Sequence, residues 1–285
     1  MELAVCLRNE PVVEVVHVAR LAEELGYRQL WIPDGARGAG LDAQGRLTGR
    51  DAFCSFAAMF AATTTLRGAI GVAATPMHTI PSLALIASTL SEQSGGRFEL
   101  GLGVSHRELA ERNGVSFPDR PIEYMRTVIR QLRRNSDGQM AFGNNWPVSL
   151  AALGPKMVDV AVEEASGVVL NWLTPAAAAT AVQRCLAHSG DPTRAILYVR
   201  LMSTDAARQD AIAYDALANY HRHFLAQELL TPEAIVEQTT LPADDVEACR
   251  ARIERYRDAG IDTLCLYPIG LDSSERDRLL ELLIS

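Results

Sequence analysis

Lysine is nearly missing from this 285-residue chain. Lys156 stands alone, and every other basic residue is an arginine. The basic residues are scattered and the formal net charge is −8, so a nucleic-acid partner, which needs clustered cations for its phosphates, is not expected. Cysteine is also sparse. The five (Cys6, Cys54, Cys185, Cys249, Cys265) are odd in number and lack paired spacing, which argues against a disulfide framework or a zinc cluster. Cys6 and Cys265 lie in apolar runs and read as buried thiols. No apolar stretch approaches the ~18 residues of a membrane span, and the opening MELAVCLRNE is too short and acidic for a signal peptide. A cytoplasmic protein without membrane contact is the expectation. No GxSxG elbow, HExxH pair or phosphate-binding P-loop occurs, and no GxGxxG follows the first strand. Serine hydrolases, zinc peptidases, P-loop enzymes and dinucleotide-binding open sheets are thereby disfavoured.

What is present is a large apolar content, 48%, and a repeated alternation. The stretch LRGAIGVAATPMHTIPSLALIASTLSEQSGGRFELGLGVS, residues 66–105, sets the pattern: an apolar run, a helix-spaced segment and a second apolar run. Extended along the chain, the pattern predicts strands at 3–7, 29–33, 68–74, 98–104, 148–153, 167–172, 195–202 and 263–268. Helices are predicted between them at 12–25, 51–64, 81–93, 157–165 and 176–188, with a closing one at 274–283. A glycine-rich loop at 35–49 follows the second strand. Residues 105–145 read as an insertion with one amphipathic helix at 122–134. Residues 206–230 and 244–259 read as helical, with no strand signal. Near-continuous apolar strands alternating with helices imply parallel pairing. Eight such units predict a single α/β domain over 1–285, a (β/α)8 TIM barrel with insertions after the fourth strand and before the eighth. Function should then collect at the carboxyl ends of the strands.

Each strand end offers a candidate and a plainer reading. Asp34 follows the second strand, either as a site carboxylate or as a turn aspartate. Gly103, Val104 and Ser105 end the fourth strand with backbone N–H groups and a hydroxyl to offer. His106 comes next, as a proton carrier or a structural histidine, and His78, after the third strand, is a second such group. Gly154-Pro155-Lys156 opens a helix whose free N–H groups suit an anion. Trp172, after Asn171, serves a site or packs in the core. Arg200, inside an apolar strand, needs either a ligand or a buried carboxylate.

Thr75-Pro76, Pro81, Ser94-Gly95-Gly96-Arg97-Phe98 and Gly101-Leu102-Gly103, together with the string GVVLNWLTP at 167–175, resemble the luciferase-like monooxygenase superfamily, in particular its branch using the deazaflavin coenzyme F420. The likeness is strongest over 20–105 and 150–175. It implies a TIM barrel and a hydride-transferring oxidoreductase acting on a small organic molecule. It also implies a non-proline cis peptide at Val72–Ala73, to within one residue, behind the cofactor ring. By the same likeness Asp34 and His106 are catalytic, and Asp34, Val72, Ala73, Gly103, Val104, Ser105, Gly154, Pro155, Lys156 and Asn171 hold the cofactor. Arg97 is expected to form a structural ion pair under the barrel. A homodimer is usual for the family. The alternatives are an FMN-dependent monooxygenase and a cofactor-free barrel serving as a partner subunit.

Overall fold

A computed structural model describes residues 1–34, 49–134, 142–143, 146–187 and 192–284. In chain order the elements are β1 (Glu2–Cys6), α1 (Val12–Leu25), β2 (Gln29–Ile32), α2 (Ala52–Ala62), β3 (Arg67–Ala74), α3 (Ile80–Ser94), β4 (Phe98–Gly103), α4 (Arg107–Arg112), α5 (Pro121–Arg134), β5 (Val148–Ala151), α6 (Pro155–Glu164), β6 (Gly167–Asn171), α7 (Pro175–Leu186) and β7 (Arg194–Met202). Then follow α8 (Thr204–Asp215), α9 (Ala218–Leu225), α10 (Pro232–Thr239), β8 (Leu241–Pro242), α11 (Val246–Asp258), β9 (Thr263–Pro268) and α12 (Ser273–Ile284). β1 to β7 and β9 close into a parallel eight-stranded barrel through the β6–β7 and β7–β9 pairings. The insertions fall after β4 and before β9, where the sequence indicates them.

Local chemistry sets the helix ends. Asp51 accepts a hydrogen bond from the Cys54 N–H (2.8 Å), and Thr79, Thr174 and Ser203 cap α3, α7 and α8 in the same way. Gly26 stops α1 at a positive φ of 91°, which a side chain would resist. The helices bury one face against the outside of the barrel. Inside it lies a separate apolar cluster that includes Trp31, Ile196, Tyr198 and Tyr267, so the barrel is a packed core and not a pore.

The amino ends of the strands are tied by polar bonds. Glu99, buried on β4, accepts from Gln29 Nε2 (2.9 Å), from Arg194 Nη2 (2.8 Å) and from the Ser149 hydroxyl, linking four strands. Arg97 does not form the expected ion pair among the described residues. Its guanidinium donates to the carbonyls of Ser94 and Leu66 (both 2.8 Å) and to those of Thr63 and Phe60, and lies 5.0 Å from the Phe60 ring centroid. The last carbonyls of α2 and α3 have no helical partner, and a five-donor cation satisfies several at once.

Two further differences have physical reasons. A short strand lies between the two stretches read as helical, 206–230 and 244–259. β8 has two residues, pairs beside Leu201 and Met202, and is too short to leave a periodic signal. The helical run 206–230 breaks after Asp215 and again after Leu225. The glycine-rich loop lies outside the described residues over 35–48, as do 135–141 of the first insertion, 144–145, and 188–191.

One side chain fixes a loop by charge. The half-buried Glu23 carboxylate accepts from the N–H groups of Thr64 (3.0 Å), Thr65 (2.5 Å) and Leu66 (2.8 Å). Burial works against its charge, but these bonds outweigh it and hold the carboxyl down at about 2. A carboxyl lowered on folding stabilises the fold above its unfolded value and loses that contribution as pH falls toward the folded one. Stability should therefore drop between about pH 4.5 and 2. Because solvent screens the site, Glu23→Gln should cost about 1–2 kcal/mol at pH 7 in a denaturant titration. An unchanged midpoint would contradict this.

Candidate functional site

The carboxyl ends of β2, β3 and β4 lie side by side and carry most of the candidate residues. β3 does not run in even register with β4. Ile70 pairs with Leu100 and the next pair is Ala73 with Leu102, so β3 holds one residue more. The cis peptide lies within this bulge, at Gly71–Val72, one bond before Val72–Ala73. Close packing surrounds it. A Cβ on Gly101 would sit 2.1 Å from the Ile70 carbonyl oxygen, and one on Gly71 would sit 1.5 Å from the Tyr198 hydroxyl. A Cβ on Gly103 would meet Val72 Cγ2 at 2.6 Å. The glycines thus make room for the barrel's own atoms. What they leave at the mouth is a half-exposed apolar floor of Val72, Ala151 and Ile269, resting on the interior cluster.

Polar groups ring this floor. At the β2 and β3 tips His78 Nε2 lies 2.5 Å from Asp34 Oδ2, with side-chain exposures of 16% and 10%. The Phe53 and His78 rings pack edge to face. At the β4 tip Val104, Ser105 and His106 are half-buried, and Ser105 has a φ of 67°. Asn219 Nδ2, from α9, donates to His106 Nδ1 (3.2 Å). Burial pushes His106 below its ordinary value, against the smaller effects of Glu108 and Asn219. Gly154, Pro155 and Lys156 are exposed at the start of α6, and space around the Gly154 Cα is open.

The second insertion is fastened to the same rim. Arg200, the candidate with two readings, pairs with a carboxylate: Nε donates to Asp210 of α8 (2.6 Å). Nη1 donates to Asn171 Oδ1 (2.8 Å), and the guanidinium lies 3.7 Å from the Trp172 ring centroid. Asn171 Nδ2 in turn donates to the Tyr220 hydroxyl (3.0 Å), so this amide is committed on both atoms to Arg200 and α9. Trp172 is buried in a cluster with Tyr220 and Phe224. His223 lies on α9 as well. Its Nδ1 faces the Leu153 carbonyl (3.1 Å) and its Nε2 those of Asn171 and Trp172 (both 3.0 Å). Burial lowers its proton affinity more than these carbonyls raise it. No local motif marks Asn219, Tyr220 or His223; only the fold brings α9 to the rim. Among the described residues there is no cluster of metal-ligating side chains, and no helix is long and apolar enough to cross a membrane.

A closed parallel barrel with a bulged third strand and a polar-ringed mouth defines the class of protein. The luciferase-like monooxygenase family matches residues 3–263, and the chain belongs to that family. Curated relatives include 5,10-methylenetetrahydromethanopterin reductases from Methanolobus tindarius and Archaeoglobus fulgidus. The first is 27% identical over 59% of this chain and 52% of the relative. The second is 29% identical over 57% and 50%. The match thus spans about half the length of these relatives. Among solved structures, an F420-dependent secondary alcohol dehydrogenase in complex with an F420–acetone adduct superposes with a TM-score of 0.79 at 14% identity, covering 99% of this chain and 97% of that one. The coenzyme F420-dependent tetrahydromethanopterin reductase of Methanopyrus kandleri gives 0.74 at 17% identity, covering 100% and 97%. Monooxygenase RslO1 of Streptomyces bottropensis gives 0.70 at 17%, covering 100% and 98%.

Two expected outcomes follow from the rim. Asp210→Ala strands the Arg200 guanidinium in the interior and should cost about 3 kcal/mol in chemical denaturation. Replacing both partners by apolar residues (Arg200→Met with Asp210→Leu) should recover most of it. An Asp210→Ala loss under about 0.5 kcal/mol would place the pair among exposed ones. For His106 and His223, the unfolded chain holds more protons than the folded one just below the ordinary histidine value. Stability should therefore fall as pH drops from about 6.5 through their folded values. Ring titrations by NMR should give midpoints below 6.5, and midpoints above it would contradict the burial argument.

Proposed function

We propose that this chain is an oxidoreductase that uses coenzyme F420 to pass a hydride to or from a small organic substrate. One observation carries the reading: the half-open apolar floor of Val72, Ala151 and Ile269 beside the β3–β4 bulge, with polar side chains at the neighbouring strand tips. A flat ring with an apolar face and a polar edge fits that chemistry. When bound, the deazaflavin supplies a carbon that accepts or donates hydride. Val72 and Ala73 would back the ring, and Gly103, Val104 and Ser105 would meet its edge with backbone groups. The open α6 start at Gly154, Pro155 and Lys156 would meet an anionic tail. Asn171 fits a cofactor contact less well, since its amide is already engaged. Asp34 and His106 stand at the catalytic rim, Asp34 bonded to His78 and His106 to Asn219. Further support comes from the relatives, whose names include F420-dependent enzymes and reductases. A cytoplasmic homodimer belongs to the same reading.

The deciding experiment is a fluorescence titration of F420 with the purified protein, repeated with FMN. Saturable quenching or a spectral shift with F420, tighter than with FMN by at least ~10-fold (about 1.4 kcal/mol), is expected. Preference for FMN together with oxygen consumption would replace this reading with a flavin monooxygenase. Binding of neither would leave a cofactor-free partner subunit.

A further inference from the structure

We propose that His78, oriented by Asp34, is the residue that carries the proton accompanying hydride transfer at this mouth, with a carbonyl or imine carbon as hydride acceptor. This rests on the cofactor reading above and goes beyond it by naming the acid–base group and the substrate class. The geometry at the β2 and β3 tips is the ground for it. A carboxylate oxygen only accepts, so the 2.5 Å contact from Asp34 Oδ2 fixes a proton on His78 Nε2. The nitrogen left to exchange a proton is then Nδ1, and among the described residues no hydrogen bond reaches it. The Phe53 and His78 rings pack in a T-shape with centroids 5.8 Å apart. Asp34 is the one charged group in contact with His78 among the described residues, and both side chains sit near the surface of the mouth without being open to it.

His106 is built differently. Its Nδ1 is taken by the Asn219 amide, and its ring leans on Tyr220 at 5.6 Å. No carboxylate bonds to it among the described residues. His78 has the constellation of an acid–base catalyst: a carboxylate on one nitrogen and the other left free.

The step balances as follows. Reduced deazaflavin is the reductant. The acceptor carbon gains the hydride, forming a C–H bond as the C–H bond of the reduced deazaflavin breaks, and the oxidised deazaflavin releases its remaining ring proton to solvent. The C=O or C=N π pair takes the proton from His78 Nδ1, forming an O–H or N–H bond. Neutral His78 keeps its Nε2 proton toward Asp34 and regains the Nδ1 proton from solvent. Running the step backward oxidises an alcohol or amine.

The test has two arms. In the cofactor-free protein, 15N-resolved NMR of the histidine rings should find neutral His78 protonated on Nε2. Asp34→Ala removes the acceptor that holds this tautomer and should raise the share of neutral His78 protonated on Nδ1. In the second arm, reduced F420 is offered benzaldehyde, cyclohexanone and 1-pyrroline. Turnover of at least one is expected. His78→Asn should lower kcat at least ~100-fold with F420 quenching preserved, and Asp34→Ala should lower kcat in step with the loss of the Nε2-protonated tautomer. A neutral His78 protonated on Nδ1, a His78→Asn kcat within threefold of the parent, or no turnover of any of the three while F420 still binds would each overturn the proposal. Failure of the protein to quench F420 overturns the cofactor reading instead.

Discussion

One extra residue in β3 sets the shape of the mouth. Between Ile70 and Ala73 the strand takes three steps while β4 takes two, and the surplus has to go somewhere. It goes inward and across: the Gly71 carbonyl accepts the Tyr198 hydroxyl (3.1 Å), and the Val72 side chain lies over Gly103. Neither arrangement survives a side chain at Gly71, Gly101 or Gly103, because each Cβ would fall within 2.6 Å of a packed atom. The bulge turns an apolar side chain toward the open end of the barrel. Next to it, Thr75 donates to the Gly103 carbonyl (2.9 Å) and closes the two tips together. The floor on which the functional reading depends is a by-product of this register.

The other wall of the mouth is not part of the eight βα units. α8 and α9 come from the insertion before β9, and they are held through a buried cation. Arg200 reaches from the inside of β7 to Asp210 and Asn171, with Trp172 and Tyr214 against its guanidinium. A charge this deep is tolerable only when its donors are met, and here the groups that meet them lie on the β6 tip and the inserted helix. α9 then delivers Asn219 to His106 and His223 to the carbonyls of Leu153, Asn171 and Trp172. The barrel supplies the floor and the insertion supplies one side of the wall.

This division also explains what the sequence made legible. The eight barrel strands are continuous apolar runs separated by capped helices, so spacing alone reveals them; the strand at Thr263–Pro268 has the bounds its apolar run suggests. The small residues near Gly101 and Gly103 mark a close approach, but not what approaches. The atoms concerned belong to Ile70 and Val72, residues of the neighbouring strand. Arg97 reads as half of an ion pair because a cation under a barrel suggests an anion, whereas the fold sets four carbonyls around it. Asn219 and His223 are ordinary polar residues on an ordinary amphipathic helix. Their placement depends on where that helix lands, which is a tertiary fact. His78 stood in the sequence only as a second candidate; its distance to Asp34 raises it above His106.

The most direct test of the central claim, that the tips of β3 and β4 form the seat of a ring-shaped redox cofactor, is a map of backbone amide chemical shifts on adding F420 to the isotopically labelled protein. The account predicts the largest changes at Val72, Ala73 and Gly103 through His106, with Gln29, Glu99 and Ser149 at the opposite end of the barrel unmoved. Shifts centred at that opposite end, or none on the β3 and β4 tips while F420 binds, would contradict it.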